Sequence, residues 1–133
     1  MTTTSLVKVF NSHLLEFIDD VIRIFPKNLD LKTGKTFIEG IKRINPKSLI
    51  KIWKTSVVDL YKNEIENNDY TFFLNKNYKN DLPHDSTNRT LQTINSIQIL
   101  LKDTNKKNKE KSMKYVQNLT KICTLYFKNN KLS

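Results

Sequence analysis

The stretch SLVKVFNSHLLEFIDDVIRIF, residues 5–25, places Phe10, Leu14, Phe17, Val21 and Ile24 at successive steps of four, three, four and three. That period belongs to one face of an α-helix, and Leu15, Ile18, Ile22 and Phe25 widen the apolar face on either side. Pro26 stops the helix, because proline has no N–H to donate and its ring clashes with the preceding turn.

The same period recurs down the chain. Asp30 is placed to cap a second helix through Phe37, Ile38, Ile41 and Ile44, and Asn45-Pro46 interrupts it because the residue before a proline avoids helical geometry. Asn45 as cap and Pro46 in the first turn then start a third helix, whose buried stripe is Leu49, Ile50, Trp53, Val57, Leu60 and Tyr61, running towards Ile65. Thr55-Ser56-Val57-Val58 is a point where that helix is expected to bend. A short segment from Tyr70 to Asn75 carries Phe72, Phe73 and Leu74, and a polar loop with Pro83 follows near residues 75–85. A further helix begins at Asp85, Ser86 or Thr87 and runs through Leu91, Ile94, Ile97, Leu100 and Leu101. The last, at about residues 106–129, buries Val116, Leu119, Ile122, Cys123, Tyr126 and Phe127. Strand alternation with turn signals is missing, so the reading is all-α: residues 1–133 as a single compact bundle of five or six helices.

Composition narrows the class. The 133 residues include no alanine, two glycines and three prolines, against 20 lysines and 16 asparagines. Ala, Gly, Pro and Arg need GC-rich codons, so this is the signature of an AT-rich genome, and part of the net charge of +10 follows from it. The lone Cys123 cannot form an internal disulfide and no secretory signal opens the sequence, so an intracellular setting is expected. No apolar run approaches the ~20 residues of a membrane span, and no membrane partner is expected.

Enzymatic signatures fail on inspection. Thr33-Gly34-Lys35-Thr36 ends like a phosphate-binding loop, but the glycine required five residues before Gly34 is replaced by Leu29, and no strand precedes it. His13 and His84 are far apart in sequence, with no ligand cluster at metal spacing around either, so neither a metal nor any cofactor is expected. Cys123 lies on a buried face and reads as a small core hydrophobe. Glu16, Asp19 and Asp20 read as a solvated acidic face of the first helix. We therefore expect no catalytic activity.

Charge placement carries more than charge total. Residues 27–62 hold nine basic against three acidic side chains and residues 102–133 hold nine against two, whereas the remaining two segments are mildly acidic. Codon bias raises lysine everywhere and leaves this unevenness unexplained. On the third helix Lys47, Lys51 and Lys54 fall opposite the apolar stripe, and on the last helix Lys107, Lys111, Lys114, Lys121 and Lys128 flank or face away from Leu119. Such ridges suit phosphates or an acidic protein surface. Base-specific reading is disfavoured, since only Arg23, Arg43 and Arg89 offer bidentate contacts. A second expectation is a structural or interaction role, such as a virion component or homodimer, in which surplus apolar surface at Phe10, Phe17, Ile24 and Phe25 is covered by a partner.

Asp30-Leu31-Lys32-Thr33, the run from Asn45 to Lys54, and Phe72-Phe73-Leu74-Asn75-Lys76 with Tyr78 and Asp81-Leu82 form a train of features across residues 30–82. Together with the Lys/Asn-rich composition this resembles small helical proteins of nucleocytoplasmic large DNA viruses, the giant viruses. The resemblance covers about half the chain and includes no catalytic signature. It implies a virus-encoded protein of the infected host cytoplasm or of the virion, and transfers no site residues.

Overall fold

A computed structural model describes residues 2–67, 93, 96–97, 99–102 and 104–131. The expected segment from Tyr70 to Asn75, the loop at 75–85, His84, and Leu91 and Ile94 of the following helix lie outside the described residues. The fold is all-α, a bundle of helices packed on one another, with no strand among the described residues.

Helix α1, Thr3–Ile24, starts where the Thr2 hydroxyl accepts from Ser5 N–H at 3.1 Å, which satisfies one of the amides left without an intrahelical partner. It ends before Pro26, as the sequence predicts. Leu6, Val7, Phe10, Leu14, Phe17, Ile18 and Val21 are all buried along its length. Full burial of a side chain such as Phe10 stabilises the fold by about 1.5–3 kcal/mol.

Helix α2, Leu29–Ile44, is capped differently from the expectation. Asn28, not Asp30, supplies the cap: its Oδ1 accepts from Leu31 N–H at 3.0 Å. Asp30 falls in the first turn instead, where a carboxylate still favours the positive end of the helix dipole.

The expected third helix is three pieces. Helix α3 spans Ser48–Trp53, a wider π turn spans Lys54–Val58, and helix α4 spans Asp59–Glu66. Asn45 and Pro46 do not start α3 as predicted. Asn45 closes α2 through its N–H to Ile41 O at 2.9 Å, and its Oδ1 accepts from Lys47 N–H at 3.2 Å, so Pro46 and Lys47 turn before the helix begins. The weak point foreseen at residues 55–58 is the π turn, and the non-helical backbone that kinks the helix follows it at Tyr61 (φ −131°, ψ 19°). In the π turn the Thr55 hydroxyl donates to the carbonyls of Lys51 and Ile52, competing with the regular ladder. The extra residue in the turn lets adjacent Val57 and Val58 both face inward, so Leu49, Ile50, Trp53, Val57, Tyr61 and Ile65 still share one core. The side chain of Leu60 is outside the described set.

Residues 93, 96–97 and 99–102 are helical, with Ile97 and Leu101 buried. Helix α5, Lys106–Lys131, packs along α1 and also meets α3, the π turn and α4. It buries Met113 and Tyr115 in addition to the predicted Val116, Leu119, Cys123 and Tyr126, whereas Ile122 and Phe127 are only half-buried. Trp53 locks the centre: its ring meets Phe10 edge-on at 6.0 Å and its Nε1–H donates to the Thr120 hydroxyl at 3.2 Å. No helix among the described residues is long and apolar enough to cross a membrane.

Candidate functional site

The lysines of α5 sort themselves by what lies beside them. Lys107, Lys114, Lys121 and Lys128 are exposed on the face opposite the α1 contact, and none has a carboxylate partner among the described residues. Each is seven residues from the next. Seven residues advance about 10.5 Å, so the four amines form a line about 30 Å long with a drift of only ~20° per step. Asn118 and Leu125 are exposed on the same face.

Lys111 leaves this ridge. Its Nζ lies 3.2 Å from Asp20 Oδ2 on α1, where the carboxylate also meets Arg23 and accepts from the Tyr115 hydroxyl at 2.5 Å. Of the acidic residues of α1 read from the sequence as a solvated face, Glu16 is exposed, whereas Asp19 and Asp20 are engaged by other helices. Asp20 has only 14% of its side chain exposed, and Asp19 pairs with Lys35 of α2 at 2.6 Å. The Tyr115 hydrogen bond, reinforced by Lys111 and Arg23, holds the Asp20 carboxyl below the usual carboxylate range against the opposing effect of burial. Asp19 in turn holds Lys35 above the ordinary lysine range.

The α3 lysines are also divided. Lys47 and Lys51 are exposed, but Lys54 belongs to the π turn, pairs with Asp59 and sits 5.7 Å from the Phe127 ring centroid. Its charge is thus neutralised and its stem packed. Lys47 and Lys51 do not join the α5 line. Helix α3 meets α5 through Trp53 with Thr120 and through the Cys123 thiol, which donates to Ile50 O at 3.4 Å, on the side of α5 opposite its lysines. The two basic sets consequently point to different sides of the bundle.

The proposed apolar partner surface on α1 is corrected in the same way. Phe10 and Phe17 are inside, Phe10 against Trp53 and Phe17 stacked on Tyr115 at 5.1 Å, while Ile24 and Phe25 are half-buried. Pairing with α5, α2 and α3 consumes most of the wide face that the sequence left without a partner.

Among other candidates, Cys123 is fully buried and burial pushes its thiol up to about 12, which keeps it protonated and inert. His13 lies at the core edge with its ring 4.8 Å from Tyr115 and its Nδ1 3.8 Å from Glu16. Gly34, in the fragment resembling a phosphate loop, is a packing position: a Cβ there meets Thr93 Oγ1 at 2.5 Å. No group of three or more His, Cys, Asp or Glu able to hold a metal occurs among the described residues.

What sequence reading missed is a groove between α4 and α5, whose walls are residues fifty or more positions apart. Its one sequence signal is Leu125, an exposed apolar residue on the lysine face. No protein-family model matches the chain, and comparison with curated proteins and with solved structures gives no match.

Proposed function

We propose that this chain is a non-enzymatic binding protein that contacts nucleic acid through phosphates, without reading base sequence. The observation that carries this reading is the α5 line of Lys107, Lys114, Lys121 and Lys128, all exposed and without carboxylate partners among the described residues. Four amines over about 30 Å follow a polyanion, and lysine as a point charge tracks phosphates without the fork geometry that specifies bases. The resemblance to giant-virus proteins sets the contact in viral replication or packaging, in infected host cytoplasm or in the virion.

Salt titration of binding to generic duplex DNA tests the proposal. Four phosphate contacts give a slope of log affinity against log salt of about −3 to −4, and each Lys-to-Gln change on the ridge reduces it by about 0.9. No binding at low salt, or a slope indifferent to all four changes, rejects it.

A further inference from the structure

The π turn and α4 together run antiparallel to α5, tied at one end by Gln117 Nε2 donating to Ile65 O of α4 at 2.9 Å and at the other by Lys54 of the π turn over Phe127. Between the ties the helices leave a groove. It comprises cavities of about 490 and 580 Å³ that share Thr124 and Lys128, the first walled by Ile65, Lys121 and Leu125, the second by Val58, Lys62 and Phe127. From Gln117 to Lys128 the groove follows α5 for about 16 Å, or three helical turns.

Charge along the groove is selective. Lys54 is cancelled by Asp59 and Lys62 by Glu66, so Lys121 and Lys128 are the uncompensated cations among the described residues of its lining. They stand one above the other with Thr124 and Leu125 between them. The Thr124 hydroxyl between them is buried without a hydrogen-bond partner and offers no accessible polar atom to the trough, so the two amines are what a ligand meets there. Leu125 and the half-buried Phe127 supply apolar surface to the same trough, with Ile65 and Val58 buried at its floor.

We infer that the α4–α5 groove is a docking site for an acidic amphipathic helix of a partner protein. A three-turn helix fills the length, its apolar stripe covers Leu125 and the groove floor, and carboxylates seven residues apart meet Lys121 and Lys128. Duplex DNA matches the amines but has no apolar stripe to cover Leu125, so the combination favours a peptide helix here. The site goes beyond the phosphate ridge, with which it shares Lys121 and Lys128, and the two ligands compete.

The experiment uses the full chain and a fluorescein-labelled helical peptide of about four turns, with leucines on one face and glutamates at i and i+7 beside it, against a scrambled peptide of the same composition. Fluorescence anisotropy is expected to show saturable binding of the helical peptide alone. Leu125→Gln weakens it about tenfold and leaves duplex DNA affinity unchanged, because it removes an exposed apolar contact and no charge. Lys107→Gln with Lys114→Gln, by contrast, weakens DNA alone. Equal binding of the scrambled peptide, indifference to Leu125→Gln, or no saturation by about 1 mM overturns the inference. Concentration-dependent self-association abolished by Leu125→Gln also overturns it, since the occupant is then a second copy of this chain.

Discussion

The Tyr115 hydroxyl on α5 donates to Asp20 on α1 at 2.5 Å, joining the two longest of the described helices through a residue pair 95 positions apart. The same carboxylate holds Arg23 and Lys111, and the tyrosine ring stacks on Phe17. Tyr115→Phe keeps the stack and removes the hydroxyl. Because Asp20 retains two cations, the expected loss is about 1–2 kcal/mol, at the low end for a hydrogen bond to a charged group. Urea unfolding measures it, and a loss below the experimental error shows the bond to be dispensable.

Asp20 also sets an acid limb of stability. Its carboxyl titrates lower in the folded chain than in the unfolded one, so on acidification the unfolded state takes up the proton first. The contribution is present above the ordinary carboxylate range, about pH 4, and is lost as pH falls through the depressed value. Asp20→Asn flattens this part of the stability–pH profile; an unchanged acid limb contradicts the assignment.

Burial of Cys123 gives the opposite sign at high pH. Its thiol is pushed up to about 12, so above the ordinary thiol range the unfolded chain loses a proton that the folded chain keeps. Stability therefore falls as pH rises from about 8.5 towards 12. A thiol reagent near neutral pH should label Cys123 only as fast as the chain opens, and labelling that outpaces opening measured by hydrogen exchange excludes the buried placement.

The two glycines of α2 are expected to respond in opposite directions. A methyl at Gly34 meets Thr93 Oγ1 at 2.5 Å and Cγ2 at 2.6 Å, whereas nothing lies within 4 Å of one at Gly40. Gly34→Ala costs about 1–3 kcal/mol by overpacking. Gly40→Ala gains up to about 1 kcal/mol from helix propensity. Thermal denaturation of the pair decides the matter, and equal shifts exclude the close approach at Gly34.

Lys111 and Lys114 provide a charge comparison within a single turn of α5. Lys111 is engaged by Asp20 at 3.2 Å, and Lys114 is exposed without a carboxylate partner among the described residues. Lys114→Gln reduces the salt slope of DNA binding by about 0.9, and Lys111→Gln reduces it by less than half as much. Equal effects imply that Asp20 releases Lys111 in the complex.

Periodicity alone located α1, α2 and α5, since apolar residues at steps of three and four admit no other regular structure, and it identified Trp53 and Cys123 as core. Caps were less legible. Asn28 and Asp30 are both able caps, and the choice depends on how the chain leaves Pro26. The π turn was foreshadowed by Thr55-Ser56-Val57-Val58, but its consequence, both valines turned inward, depends on the surfaces packed on them. Asp20 and Lys111 illustrate what a single helix wheel cannot contain: each is an exposed position on its own helix, and each is consumed by the other when α1 and α5 meet.

By itself the sequence determined an all-α chain with lysine concentrated in two segments, because local period and local charge are properties of neighbouring residues. Only the tertiary structure decided which lysines remain without partners, which of the α1 phenylalanines are covered, and that α4 and α5 leave a groove between them. Those outcomes depend on contacts between residues tens of positions apart, where burial and ion pairing are set by which helix faces come together.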